Sequence, residues 1–139
     1  MATKTLDKQK IVDMLKSELP TISAIYLFGS QKGGSTTKES DVDIAYLCDK
    51  KLSSVERWEL SEKLALALSM DVDLVDLSDT NTIFRYQIIS TGERIYGSGY
   101  KVESFETLAY SFYLRFKEER KPIEDEIMKN RSVFGVGDA

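Results

Sequence analysis

A short apolar run that stops at a Gly-Ser pair places the strongest limit on how this chain can fold. Residues 22–28 are mostly apolar, β-branched or aromatic, and Gly29 ends the run, as expected for a mostly buried β-strand. A polar loop over residues 31–40 follows, and the next apolar run starts with Asp41 and Asp43. The sequence therefore predicts two core strands, with a pair of aspartates at the head of the second.

The remaining elements follow from the spacing of apolar residues and from end signals. Apolar side chains at steps of three and four residues predict helices over residues 6–19, 53–69, 81–89 and 104–131. Short apolar runs with β-favouring residues predict strands over residues 22–28, 41–48, 71–77 and 94–97. Ser53 and Glu56 have the form of a capping box, Asn81 can cap the third helix and Gly92 can end it. Pro122 should interrupt the last helix, by a kink or by a break into two helices.

The order of these elements predicts one domain of the α/β (α+β) class, a small mixed β-sheet flanked by helices with a C-terminal helical extension. With 139 residues, the chain is long enough to form a single core. We predict a core over residues 1–100, a helical extension over residues 101–131 that packs on the core or on a partner, and a flexible tail over residues 132–139.

Composition removes several classes of site. The chain has no histidine and a single cysteine, Cys48, so a Ser-His-Asp triad, a Cys-His pair, an internal disulfide and a zinc site are all poor fits. Catalysis must then rest on carboxylates, hydroxyls, lysine or arginine, or on a metal ion that oxygen ligands hold, such as magnesium. Cys48 itself is predicted to be a small buried apolar side chain.

The charge pattern limits the partners and the compartment. The net charge is −4, and acidic and basic residues are interleaved along most of the chain, so we expect no direct binding to nucleic acid. No apolar stretch approaches the roughly 20 residues of a membrane span. Charges near the N-terminus argue against a signal peptide. The sequence therefore predicts a cytoplasmic protein that does not bind a membrane.

Carboxylates at the starts of strands are the main candidates for chemistry. Side chains alternate along a strand, so Asp41 and Asp43 point to one side with Cα atoms about 6.5 Å apart. In the third predicted strand, the same alternation groups Asp73 with Asp71 and turns Asp76 to the other face. An isolated Asp-x-Asp is usually solvated. If the two strands are neighbours, however, three carboxylates can converge, and a cation such as Mg²⁺ would balance their repulsion.

The Gly-Ser pair supplies a second part of such a site. Gly29 permits a ligand to approach the backbone closely, and Ser30 offers a hydroxyl and an N–H group to an anion. Taken alone, a Gly-Ser pair is an ordinary turn. Together with the carboxylates, it predicts a place for a triphosphate beside metal ions.

The spacing Gly-Ser-x(10)-Asp-x-Asp, residues 29–43, resembles the signature of minimal nucleotidyltransferases in the DNA polymerase β-like superfamily. The strand around Asp73 resembles the third-carboxylate strand of that family, and the resemblance covers about residues 6–96. The chain is most similar to the MntA-type antitoxins that accompany HEPN-domain toxins. It departs from the common pattern just after the Gly-Ser pair, where many members carry a GSRARG-like stretch and this chain has Lys32 as one charge in place of two possible arginines. The resemblance therefore implies phosphate contacts less firmly than metal ligation.

The resemblance implies a polymerase β-like nucleotidyltransferase fold and a Mg²⁺-dependent transfer of AMP from ATP to a hydroxyl, with release of pyrophosphate. In MntA-type proteins, the hydroxyl belongs to a tyrosine of the HEPN ribonuclease toxin, which the modification neutralises. Carried over to this chain, the resemblance implies that Gly29 and Ser30 hold the triphosphate and that Asp41 and Asp43 bind two metal ions. It also implies that Asp73 is the third metal-binding carboxylate and activates the attacking hydroxyl.

Several alternatives stay open. Asp76, and less strongly Asp71, are rivals of Asp73 for the third position. The acceptor could be a small molecule, as in antibiotic-modifying nucleotidyltransferases, or the protein could mask its toxin by binding alone. Another nucleotide such as UTP could replace ATP. The aromatic residues of the last helix could form core or a partner surface, and Arg85 could contact a phosphate or lie on a solvated helix face.

Overall fold

The computed structural model describes residues 3–29, 35–37 and 41–134, and it describes side chains over residues 6–29 and 41–119. The strands are β1 (Thr3–Thr5), β2 (Ile22–Phe28), β3 (Ser35–Thr37), β4 (Val42–Cys48), β5 (Val72–Asp76) and β6 (Glu93–Tyr96). The helices are α1 (Lys8–Glu18), α2 (Ser54–Leu68), α3 (Thr82–Thr91) and α4 (Tyr100–Phe134), and a 3₁₀ turn (Leu77–Asp79) follows β5.

Four strands form a mixed sheet in the order β5-β4-β2-β6. The β4–β5 pair is parallel, because α2 connects these strands as a crossover, and the other neighbouring pairs are antiparallel. Each of the four predicted strands is present within one residue of its predicted bounds. The predicted small mixed sheet flanked by helices is therefore confirmed.

The segment between β2 and β4 contains a strand that the sequence did not predict. β3 pairs with β1 as a separate antiparallel ribbon, in which Thr3 lies opposite Thr37. The predicted loop is thus wrong over residues 35–37, and its remaining residues, 31–34 and 38–40, lie outside the described residues. Both strands are three residues long and consist mainly of polar side chains, so neither shows the apolar alternation that predicts a strand.

The sheet is covered by helices on both faces. One apolar cluster joins α1 and α2 to the sheet and includes Leu64, Tyr46 and Cys48, which confirms that the cysteine is buried. A second cluster joins α3 and α4 to the opposite face and includes Tyr26 and Ile88. Alternate residues of β2 and β4 point into opposite clusters, which explains why both strands are nearly continuous apolar runs in the sequence.

The predicted helix ends of α2 and α3 are confirmed. The Ser53 hydroxyl accepts a hydrogen bond from the Glu56 N–H group at 3.1 Å, and the Glu56 carboxylate accepts one from the Ser53 N–H group at 2.9 Å. This capping box satisfies two N–H groups that the helix leaves free, and such caps contribute about 1 kcal/mol. The Asn81 side chain accepts from the Phe84 N–H group at the start of α3, and Gly92 ends that helix.

Helix α4 is one continuous helix from Tyr100 to Phe134. The predicted break into two helices at Pro122 is therefore wrong, and the alternative of a kink there stays a prediction. Proline removes only one backbone hydrogen bond, and the remaining bonds of a long helix keep its two halves together. Residues 132–134, which we assigned to the tail, belong to this helix, and residues 135–139 lie outside the described residues. Neither α4 nor any other helix within the described residues is apolar enough over a sufficient length to cross a membrane.

The aromatic residues of α4 have two different environments. Phe105 packs against the second core cluster, and Tyr113 stacks on Tyr86 of α3 with ring centroids 3.8 Å apart. Tyr110 meets the same Tyr86 ring edge to face at 5.4 Å, whereas Phe112 is 45% exposed. The first half of α4 therefore packs on the core, while part of its aromatic set faces solvent. The division of the chain into core, extension and tail stays a prediction.

Candidate active site

Four of the predicted site residues, Gly29, Asp41, Asp43 and Asp73, lie at one end of the sheet, where β2 ends and β4 and β5 begin. Phe28, the last residue of β2, is the register partner of Asp43, and Asp43 is paired in turn with Asp73. The two aspartate-bearing strands are thus direct neighbours, which is the condition that the carboxylate prediction required. Because side chains alternate, both aspartates lie on the sheet face that α3 and α4 cover further along the strands.

Asp43 is the most enclosed of the three predicted carboxylates. Its side chain is half-buried, whereas Asp41 and Asp73 are exposed. Burial raises the pKa of Asp43, and the negative charges of Asp73 and Asp41 raise it further. The Asp41 and Asp73 carboxylates are therefore both close enough to Asp43 to repel its negative charge. This repulsion favours either a proton on Asp43 or a cation among the carboxylates.

Asp76 and Asp71, the two alternatives to Asp73 as the third carboxylate, have different environments. Asp76 is buried on the opposite face of β5, and its carboxylate accepts a hydrogen bond from the Ser78 N–H group at 2.9 Å, which caps the 3₁₀ turn. Asp71 is exposed, and its carbonyl oxygen accepts from the Val42 N–H group at 2.8 Å. Neither charge contributes to the raised pKa of Asp43. The structure thus brings Asp73 to Asp43, and its catalytic role remains a prediction.

Gly29 lies directly against the carboxylate of Asp43. Its φ is +69°, and a Cβ atom at this position would lie 2.5 Å from Asp43 Oδ2, which is closer than real Cβ contacts come. The backbone conformation therefore favours glycine, and a Cβ atom at this position would force the Asp43 carboxylate to move. The other half of the predicted pair, Ser30, lies outside the described residues, as does Lys32.

The donor set of this site suits a hard divalent cation. All three side chains are carboxylates, and Mg²⁺ prefers oxygen ligands. Within residues 6–29 and 41–119, no group of three or more acidic or sulfur side chains is placed so that it could hold a metal ion, so fewer than three of these carboxylates can bind one ion in this arrangement. This open arrangement fits an ion that keeps some of its waters and takes further oxygen ligands from a bound phosphate, as Mg²⁺ commonly does.

An aromatic pair stands beside the carboxylates, and the sequence analysis did not identify it. The Phe28 ring meets the ring of Phe84 from α3 edge to face, with centroids 5.7 Å apart. Aromatic residues in an apolar strand and in an amphipathic helix predict only burial. The position of this pair next to Asp43 depends on strand register and on how α3 crosses the sheet, so no local signal could have revealed it.

Arg85 fits neither of its predicted roles. Its side chain donates hydrogen bonds to the carbonyl oxygens of Leu77 and Thr80, both at 2.9 Å, and its guanidinium group lies 5.6 Å from the centre of the Phe105 ring. These contacts fasten the segment between β5 and α3 to the body of the protein. Arg85 is therefore a structural residue, half-buried rather than solvated.

Comparison with known proteins places the chain in a family. Residues 9–100 match the family described as Polymerase beta, Nucleotidyltransferase. The chain belongs to this family of nucleotidyltransferases. This nucleotidyltransferase is also 39% identical, over 128 residues, to the protein adenylyltransferase MntA of Shewanella oneidensis, and the match covers 92% of each chain. The predicted family resemblance is thus confirmed.

Solved structures of toxin–antitoxin complexes resemble this nucleotidyltransferase along most of its length. A crystal structure of a toxin–antitoxin with AMP-PNP matches with a TM-score of 0.78 and 39% identity, covering 88% of this chain and 99% of that one. A tri-AMPylated Shewanella oneidensis HEPN toxin in complex with MNT antitoxin matches with a TM-score of 0.73 and 38% identity, covering 87% and 95%. These matches confirm the predicted polymerase β-like fold.

Proposed function

We propose that this nucleotidyltransferase is an antitoxin that transfers AMP from ATP to a tyrosine hydroxyl of a cognate HEPN-family ribonuclease toxin and so neutralises it. The observation that carries the proposal is the register of β4 with its two neighbours: the pairing with β5 brings Asp43 beside Asp73, and the pairing with β2 brings it next to Gly29. The relatives support it, since one is a protein adenylyltransferase and one complex contains an AMPylated HEPN toxin. The cytoplasm is the compartment that we propose.

Each residue of the site has a task in this proposal. Asp41, Asp43 and Asp73 would hold two magnesium ions, which when bound offset the charge of the phosphates and of the oxygens that react. Gly29 leaves room for a triphosphate beside the carboxylates, and Ser30 donates hydrogen bonds to it. Asp73 is exposed and therefore open to the incoming acceptor.

The proposed transfer involves the acceptor tyrosine, ATP and the carboxylate of Asp73. The tyrosine oxygen forms a bond to the α-phosphorus of ATP, and the bond from that phosphorus to the bridging oxygen of the pyrophosphate group breaks. Pyrophosphate leaves with the electron pair of the broken bond. Asp73 accepts the proton that the tyrosine loses. Positioning and charge neutralisation supply most of the acceleration, because the protein forms no covalent bond itself.

Labelled ATP, Mg²⁺ and a cognate HEPN-domain toxin test the proposal. Wild type is compared with Asp41→Ala/Asp43→Ala and with a matched control, Asp13→Ala/Asp79→Ala, which removes two exposed aspartates outside the site. We expect label on the toxin with wild type and with the control, and none with the site variant. Removal of Mg²⁺ by a chelator should also abolish the label, and added Mg²⁺ should restore it.

The same assay separates the alternatives. Neutralisation of the toxin by Asp41→Ala/Asp43→Ala, with no label on the toxin, would show that the protein masks the toxin by contact. An unlabelled toxin that wild type fails to neutralise, together with label on an added aminoglycoside, would instead indicate a small-molecule acceptor. Replacement of ATP by UTP in the same mixture tests the nucleotide.

A further inference from the structure

A cleft of about 370 Å³ runs along the outer edge of β5. Its walls include Arg57, Trp58 and Glu62 of α2 and residues 72–74 of β5. Consecutive side chains of a strand point to opposite faces. Val72 and Leu74 therefore point to the face that α2 covers, and Asp73 is the residue that the cleft shares with the candidate active site.

The strand that forms one wall of this cleft is an edge strand. β4 lies on one side of β5, and no strand within the described residues pairs with the other side. The outer N–H and C=O groups of β5 can therefore pair with an extended segment of another chain. Three residues of a strand span about 10 Å, which suits a short peptide segment better than a compact small molecule.

The helix wall of the cleft carries an exposed tryptophan. Trp58 is the single tryptophan of the chain, and the residue is 63% exposed to solvent. Tryptophan is usually largely buried, and it is enriched among the residues that dominate binding energy in protein interfaces. Its indole face can stack on an aromatic ring. Arg57 and Glu62 line the same cleft and offer a donor and an acceptor to peptide groups.

We propose that this cleft binds the acceptor segment of the protein substrate. The segment lies extended along β5, with its aromatic acceptor ring against Trp58 and its hydroxyl group directed to Asp73. This inference rests on the proposed function and deepens it, because it names the surface that selects a protein acceptor over a small molecule. The proposal depends on the observation that Trp58 and Asp73 line the same cleft, because Trp58 would bind the acceptor segment and Asp73 would accept the proton of its hydroxyl group.

Trp58→Ala tests the proposal by steady-state kinetics with a cognate HEPN-domain toxin. We expect kcat/KM for the toxin to fall about 30-fold, mainly through KM, as for a central interface residue, while KM for ATP stays unchanged. Trp58→Phe keeps an aromatic face and should retain most of the wild-type value. Leu66→Ala is the matched control, since Leu66 is 82% exposed on the same helix and lies outside the cleft.

Fluorescence measures docking independently of transfer. The emission of Trp58 is obtained as the difference between wild type and Trp58→Phe, each mixed with the toxin, so tryptophans of the toxin cancel. Docking should shift this emission to shorter wavelength because the partner excludes water from the indole ring. If wild type docks in this way but transfers no label, the proposed function fails while the docking site stands.

Two results would overturn the inference. One is an unchanged Trp58 emission at a saturating toxin concentration. The other is a KM for the toxin that is the same for Trp58→Ala, Leu66→Ala and wild type. A loss of affinity confined to Phe112→Ala would overturn it as well, since it would move the docking surface to the exposed side of α4.

Discussion

Gly29→Ala is the sharpest test of the site's geometry. To widen the 2.5 Å approach between the new Cβ atom and Asp43 Oδ2 to the 3.4 Å of ordinary contact, the carboxylate must retreat by about 0.9 Å. A misplacement of about 1 Å can cost roughly 100-fold in rate, which corresponds to about 2.7 kcal/mol in activation free energy. The positive φ adds a folding penalty of about 1–2 kcal/mol for any residue with a Cβ atom.

Gly99→Ala is the matched control for this substitution. Gly99 also has a positive φ, +95°, but a Cβ atom added there meets no other atom within 4 Å. Both variants should therefore lose about 1–2 kcal/mol in the free energy of unfolding, measured by urea titration. Only Gly29→Ala should lose about 100-fold in the rate of label transfer to the toxin. Two results would refute the proposed packing of Gly29 against Asp43. One is a wild-type transfer rate in Gly29→Ala, and the other is an equal loss of transfer rate in Gly29→Ala and Gly99→Ala.

Three further predictions concern acidic and buried groups. Asp73→Ala should lower kcat by at least about 100-fold without loss of stability. Asp76→Ala should instead lower the free energy of unfolding by about 1 kcal/mol and keep kcat, because Asp76 caps a turn. Label transfer and urea titration measure the two effects, and the reverse pattern would make Asp76 the third carboxylate. Asp43→Asn should stabilise the metal-free protein at neutral pH, because a raised pKa means that the charge of Asp43 opposes folding. This gain in the free energy of unfolding should vanish as the pH falls below 3.8, the ordinary pKa of an aspartate, because the Asp43 carboxyl is then protonated in both the folded and the unfolded state. Urea midpoints that show a larger gain at lower pH would contradict the prediction. Tyr46→Phe should leave the free energy of unfolding within about 1 kcal/mol of wild type, because the buried Tyr46 hydroxyl makes no hydrogen bond of good geometry within the described residues and only the Arg57 guanidinium lies close to it. Tyr26→Phe should lower the free energy of unfolding, since that hydroxyl donates a 2.5 Å hydrogen bond to a glutamate of α4; equal changes in the two variants would count against this reasoning.

Most elements of the fold could be predicted because their signals are local. The apolar run over residues 22–28, the capping box at Ser53 and the end signal at Gly92 each depend on side chains a few residues apart. The failures have an equally physical cause. The β1–β3 ribbon has no apolar pattern of its own, and α4 continues through Pro122 because its length outweighs one lost hydrogen bond.

The candidate site was also predictable only where it depends on local sequence. Local alternation predicted that Asp41 and Asp43 share one side of a strand and that Asp73 and Asp76 do not, because this pattern has a period of two residues in any strand. Whether Asp73 reaches Asp43 depended on the pairing of β4 with β5. That pairing is decided by which strands bury their apolar faces together, and this involves residues far apart in the chain.

The sequence by itself therefore determined the local elements, the ends of the central helices and the candidate carboxylates with their glycine. Only the tertiary structure decided that β5 is an edge strand beside β4, that Gly29 touches Asp43, and that Trp58 shares a cleft with Asp73. The physical reason is the range of the forces. Backbone geometry and capping act between neighbours in the chain, whereas the burial of apolar surface selects one arrangement of the whole sheet.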